Sequence, residues 1–280
     1  LLLWRIGLDE VAKHIVRIGW LAPLVLFPQA LVALFDAKGW DYTFSLSGSR
    51  RPFSLLRLSL IRLAGEAVNN LTPTANVGGE AVKVYLLRKY GVPSEVGTAS
   101  VVAAKTALTI SQVAFIVLGL PFFLFRLEIG YHAWWILGVV LTVAYSFMRL
   151  IIRWQKRGLG ENTVDWLQRR FPKWRRLDGW RLRAKSVDAH LLTLYEREAG
   201  DFTTACMLHF LGWLAGAVEV YVFMVLIGAE ASWTNALIIE TMIQPVTAAA
   251  LIIPGALGVR EAAGVFLCRL LGIGDGIGLT

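Results

Sequence analysis

Charged side chains set inside apolar sequence are the residues of this chain most able to do chemistry. Glu80 and Lys83 follow Gly78-Gly79, a few residues after Pro73. A spacing of three puts both on one helix face, where they can pair. Asn69 and Asn70 precede the proline and carry donors and acceptors. Farther on, Pro254, Gly255 and Gly258 lead into Arg260-Glu261, while Lys105, Glu219 and Glu240 stand inside long apolar runs. A charge at the centre of a membrane helix costs roughly 2.5–3.5 kcal/mol on insertion scales. Arg57, Arg62, Arg88 and Arg269 have stems long enough to snorkel to a headgroup level; Glu219 does not. The pattern points to a polar interior that recognises a charged group. It does not point to covalent chemistry. The four histidines (His14, His132, His190, His209) are scattered. Cys206 and Cys268 lie in apolar stretches without disulfide or zinc spacing. There is no serine elbow and no Asp-rich motif. No catalytic residue, metal site or cofactor is expected, and the chain is expected not to be an enzyme.

The elements that hold these residues are membrane elements. The chain has 280 residues, 56% of them hydrophobic and only 17% charged, with a mean hydropathy of +0.58. Soluble domains carry about 25% charged residues. Apolar runs of about 20 residues, enough to span a bilayer, lie near 19–38, 97–120, 131–152 and 203–228. The opening Leu1-Leu2-Leu3-Trp4 has no Met and is expected to be the tail of an earlier span. The net charge of +8 fits the cytoplasmic bias of Lys and Arg and an anionic lipid surface better than it fits nucleic acid.

The segment 153–200 holds twelve basic and six acidic residues, with Trp154, Trp166, Trp174 and Trp180 interleaved. It is expected on the cytoplasmic side, as amphipathic helix on the membrane surface. Tracing back through two spans puts Arg88 and Lys89 on the same side. Tracing forward puts 229–235, with Glu230 and no Lys or Arg, on the other.

Two apolar regions are interrupted. In 54–95 each limb is about 12–16 residues, roughly 18–24 Å of helix, short for a core of about 30 Å. Both outer ends are basic: Arg50-Arg51 and Arg88-Lys89. Pro73 removes a donor and disfavours helix at Thr72. The expectation is a re-entrant helical hairpin; two short complete spans are the alternative. A second hairpin is expected over 235–275. Setting Pro73 over Pro254 aligns "PTANVGGEAVKVYLLRKYG" with "PGALGVREAAGVFLCRLLG" without a gap. Eight of nineteen positions are identical, including Pro73/Pro254, Glu80/Glu261, Arg88/Arg269 and Gly91/Gly272. Three spans separate the hairpins, so they would enter from opposite faces. Inverted repeats with broken helices recur in transporters. The helix N-termini near Gly78 and Gly258 would then point inward, where free N–H groups suit an anion. The architecture expected is all-α: one polytopic membrane domain over 1–280, with two oppositely oriented re-entrant hairpins forming an inverted repeat.

These residues also carry a resemblance. "GEAVNNLTPTANVGGEAVKVYLL", "IIPGALGVREA", Lys105, "GAVEVY" and "IIE" together resemble the membrane-domain family of bacterial lysylphosphatidylglycerol synthases, the flippase-like superfamily, over about residues 20–275. "GEAVNN" followed by "VGGE" resembles its hopanoid-biosynthesis-associated branch, from which Thr72, Thr74 and Asn76 depart. The resemblance implies a multi-pass protein of the bacterial inner membrane that moves a lipid between leaflets. Nothing in the chain resembles the soluble aminoacyl-transferase domain of the synthases. The partner expected is a membrane lipid, phosphate-bearing or isoprenoid, with no nucleic acid; a homo-oligomer is compatible. Asn69, Asn70 and the backbone at Gly78-Gly79 and Gly255–Gly258 would contact the phosphate. Glu80, Lys83, Lys105, Glu219, Glu240, Arg260 and Glu261 would line the path. A membrane-embedded lipid-modifying enzyme and a non-catalytic assembly partner of lipid-synthesis enzymes are the alternatives.

Overall fold

The computed structural model describes residues 19–47, 54–74, 77–128, 130–171, 177–250 and 252–273. Leu1–Trp4, Arg50-Arg51, Asn76, Trp174 and Asp275 lie outside the described residues. Among those described, the regular structure is entirely helical, with ten α-helices and three short 3-10 turns. Helices α1 (Ala22–Asp41), α4 (Ser94–Arg126), α5 (His132–Lys156) and α8 (Ala199–Ile227) are long and apolar enough to cross a membrane. They stand on the four uninterrupted apolar runs, and each of α4 and α8 starts within its polar flank.

The interrupted regions fold as helix–break–helix. The first comprises α2 (Leu55–Leu71) and α3 (Gly78–Lys89). At about 1.5 Å per residue these reach only ~25 Å and ~18 Å. Ser54 caps α2 by accepting from the Arg57 N–H at 3.4 Å. Thr72 ends it in an extended conformation, as a residue before proline prefers. The second region comprises α9 (Trp233–Ala249), a 3-10 turn at Pro254–Ala256, and α10 (Val259–Leu270). Its break uses Gly255 and Gly258 at φ of 58° and 80°, where glycine avoids the Cβ penalty. The register that sets Pro73 over Pro254 also sets Gly78 over Val259 and Lys89 over Leu270. The two 12-residue helices α3 and α10 therefore start and stop at aligned positions. The breaks touch each other: Gly255 packs against the main-chain carbonyl of Asn70.

Within the first unit, α2 and α3 come together through glycines. A Cβ on Gly79 would stand 2.1 Å from the Gly65 carbonyl oxygen, so a side chain there has no room.

Within the segment 153–200, expected as amphipathic helix on the membrane surface, two helices, α6 (Leu159–Arg170) and α7 (Leu177–Glu196), pack on each other. Gly158, at φ 76°, turns the chain from α5 into α6. The Asp188 carboxylate accepts from the N–H groups of Gly160 (3.1 Å) and Glu161 (2.9 Å), satisfying donors that a helix start leaves open. Helix α7 then buries Leu191, Leu194 and Tyr195 against Ala99, Ala103 and Ala107 of α4 and Phe202 of α8. The small alanines let the helices approach closely. The Tyr195 hydroxyl donates to Gln155, whose amide donates to Thr106 at 2.8 Å. Burial pushes the Tyr195 hydroxyl up to about 12, so it stays a neutral donor.

Helices α1 and α8 form the most extensive helix pair, and α4 packs beside them. Around this centre, α2 and α3 lie on one side with Trp40, Phe44, Leu58, Ile61 and Leu87 as their shared core. On another, α9 and α10 pack Ile238, Ile239, Leu267 and Cys268 against Met224 of α8.

Candidate functional site

The α1–α8 seam shows why polar groups sit at the centre of an apolar bundle. Asp36 and Gly39 lie three apart on α1; His209 and Gly212 lie three apart on α8. Each polar side chain packs over the other helix's glycine. A Cβ on Gly39 would meet the His209 ring at 2.9–3.1 Å, and one on Gly212 would meet Asp36 Oδ1 at 3.1 Å. His209 Nδ1 and Asp36 Oδ1 are 2.7 Å apart, so Nδ1 carries the proton and donates to the carboxylate. Both residues are nearly inaccessible, at 3% and 4% exposed.

From Asp36 a ladder of alternating charge runs outward. Arg62 of α2 pairs with the other Asp36 oxygen. Glu66, one turn along α2, receives Lys83 Nζ at 3.0 Å. Lys83 also reaches Glu80 at 3.2 Å, and Glu80 faces Lys105 Nζ of α4 at 3.7 Å. Three carboxylates thus alternate with three cations across α1, α2, α3 and α4. Pairing of this kind is what makes charge tolerable away from water, because an unpaired buried ion is far more costly than a paired one. Arg62 is therefore held in an interior ion pair, which corrects its expected snorkelling. Lys83 stands 7% exposed, with its ammonium 6.0 Å from the Trp40 ring centroid. A cavity of about 20 Å³ opens among Asp36, Trp40, Arg62, Glu66 and Lys83. That is room for about one water molecule.

The hairpin tip shows how its helix start is satisfied. The Gly79 N–H donates to Asn69 Oδ1 at 2.7 Å and the Gly78 N–H to Thr74 Oγ1 at 3.2 Å. These two N–H groups, expected to face a phosphate, are closed by side chains in this conformation. The Asn69 amide nitrogen is buried with no partner. Asn70 and Pro73 are exposed at the tip. At α10, Glu261 folds back and accepts from the Gly258 N–H at 2.6 Å, while Arg260 is exposed.

A second polar level lies about 10 Å along the same helices, two turns past Lys105 on α4 and past His209 on α8. Gln112 of α4 donates to Gln244 Oε1 at 3.1 Å, and Gln244 donates to Glu240 Oε1 at 2.8 Å. Glu240 packs against Gly216, which leaves it room. The candidate residues thus occupy two stacked levels and the hairpin tips. Asp36, His209, Gln112 and Gln244 were not among them. The signal for the first two is the paired polar-x-x-Gly spacing in α1 and α8. Among the described residues, no three His, Cys, Asp or Glu side chains group as metal ligands.

Long apolar helices around a paired-charge interior define a multi-pass α-helical membrane protein. The chain belongs to the family described as the lysylphosphatidylglycerol synthase TM region, whose model matches residues 1–280. It is similar to a UPF0104 membrane protein of Methanothermobacter thermautotrophicus, 25% identical over 262 residues that cover 88% of this chain and 74% of that one. No solved structure matches significantly.

Proposed function

We propose that this protein moves a lipid with an anionic headgroup between the leaflets of the cytoplasmic membrane. The observation that carries the reading is the ladder from Asp36 to Lys105. Six ionised side chains converge from four helices in a protein whose surroundings are hydrocarbon, where charge without a task is expensive. In this conformation the ladder satisfies itself, and the one-water cavity is too small for a headgroup. Transport then needs exchange of partners. Lys105 is the outermost rung, with its side chain 41% exposed and the longest ion-pair distance of the series. An incoming phosphate replaces Glu80 there, then Glu66 and Glu80 at Lys83, while the acyl chains stay among the lipids. In the same reading α2–α3 and α9–α10 are re-entrant hairpins inserted from opposite faces as an inverted pair, and the α6–α7 segment is cytoplasmic. The matched limits of α3 and α10 and the contact between the two breaks support that arrangement. Membership of a family named for a lipid synthase's membrane region supports a lipid as the partner.

The test is leaflet exchange in proteoliposomes. Fluorescent phospholipids and isoprenoid lipids are placed in both leaflets, and the outer ones are bleached chemically. The reading expects a second, protein-dependent phase of bleaching for at least one phosphate-bearing lipid. Bleaching no faster than in empty vesicles for every lipid would sink it.

A further inference from the structure

A second candidate lipid contact lies away from the ladder, where α5 turns into α6. A groove of about 290 Å³ is lined by Trp154, Arg157, Asn162, Thr163 and Trp166. Trp154 belongs to the last turns of α5 and Trp166 to α6, so the two indoles form walls contributed by different helices. Both are more than half exposed, at 54% and 62%. Asn162 donates to the Arg157 carbonyl oxygen at 2.9 Å, which holds the connection in shape.

The charge of this groove is one-sided. The acids of α6, Glu161 and Asp165, face α7, where both engage Arg181 at 3.3 and 3.1 Å. Lys156 pairs with Glu196. Among the described residues the Arg157 guanidinium has no carboxylate partner. A guanidinium between two aromatic walls is suited to a phosphate, which it can hold with two parallel N–H bonds.

The position of the groove says where that phosphate comes from. No residue in the apolar window of α5 is buried within the protein, so the helix presents hydrocarbon-compatible side chains outward. Exposed Tyr131, Trp134 and Trp135 stand at one end of it and Trp154 and Trp166 at the other. From Trp135 to Trp154 is ~29 Å along the helix. That equals a bilayer's hydrocarbon thickness of about 30 Å, and Trp and Tyr collect at its two borders. The groove therefore sits at headgroup level, at the end of an apolar face along which acyl chains can lie.

We propose that the groove between Trp154 and Trp166 binds the phosphate headgroup of an anionic phospholipid, with Arg157 as the phosphate ligand. The site fastens the α6–α7 pair to the membrane surface. It stands independently of the transport reading.

The full chain is reconstituted in phosphatidylcholine vesicles containing increasing fractions of phosphatidic acid brominated near the headgroup. Vesicles with brominated phosphatidylcholine serve as the comparison. The signal of Trp166 is the difference between the protein and its Trp166→Phe variant. Phosphatidic acid is expected to quench that signal at lower mole fraction than brominated phosphatidylcholine does. Arg157→Gln should raise its half-quenching fraction about fivefold, the loss of one surface cation. Arg157→Lys should fall between, and Arg126→Gln, at an exposed arginine of the opposite helix end, should match the unaltered protein. Equal quenching by both lipids, or no shift in either Arg157 variant, overturns the proposal. So does reversal of the quenching by millimolar glycerol 3-phosphate, which would assign the groove to a soluble phosphate.

Discussion

Glu80 and Glu261 occupy the third position of two aligned helices and do different work. Glu261 turns back onto the Gly258 N–H and closes its own helix start. Glu80 points away from its helix start, to Lys83 and Lys105. Asn69 and Thr74 supply the missing acceptors at α3, which leaves Glu80 available for the ladder. A shared residue type at a shared offset therefore marked the position, and the neighbours decided the role. The charged residues of α2, α3 and α4 were visible in the sequence because a charge in an apolar run is conspicuous. Asp36 and His209 were not, because they stand 173 residues apart in the chain and only packing joins them. Their coupling to Arg62 is open to a direct test. Asp36→Asn leaves the Arg62 guanidinium without its counter-charge and should destabilise by about 3–5 kcal/mol, the typical result of breaking a buried pair. Adding Arg62→Gln should recover part of the loss, giving an interaction energy of about 0.5–3 kcal/mol in denaturation of the detergent-solubilised protein. Purely additive losses would show that the two do not act as a pair.

At the scale of elements, the breaks are the informative feature. Pro73 and Pro254 were legible as interruptions because proline and glycine act through local backbone geometry, which sequence specifies directly. The four long helices were legible from apolar length. What sequence could not supply is the way α6 and α7 are held. Their basic, Trp-rich composition describes an exposed face, whereas Leu191, Leu194 and Tyr195 bind the pair to α4 through alanines that carry no strong signal. The re-entrant reading of α2–α3 makes an accessibility prediction. In a protein whose native Cys206 and Cys268 are replaced by alanine, Lys89→Cys should react with a membrane-impermeant maleimide from one face. Thr74→Cys, at the break, should not react from the opposite face. Efficient labelling of Thr74→Cys from that opposite face would make α2 and α3 two complete spans.

Across the whole molecule, α1, α4 and α8 form a central trio with polar groups at two levels. A broken helix pair packs beside each level, and the two breaks meet between Asn70 and Gly255. This layout gives the charges a shared interior that neither helix pair builds alone. The central claim is that this interior carries lipid headgroups. A set of near-isosteric neutral substitutions, Glu66→Gln, Glu80→Gln, Lys83→Met and Lys105→Met, removes both signs together. It leaves no buried charge stranded, so the fold should survive, as replacement of whole buried ion pairs often allows. The decisive measurement is the protein-dependent rate of leaflet exchange for this neutral variant, checked as monodisperse and helical, beside the unaltered protein. The account predicts a rate near that of empty vesicles; a folded neutral variant that moves lipid as fast as the unaltered protein would contradict it.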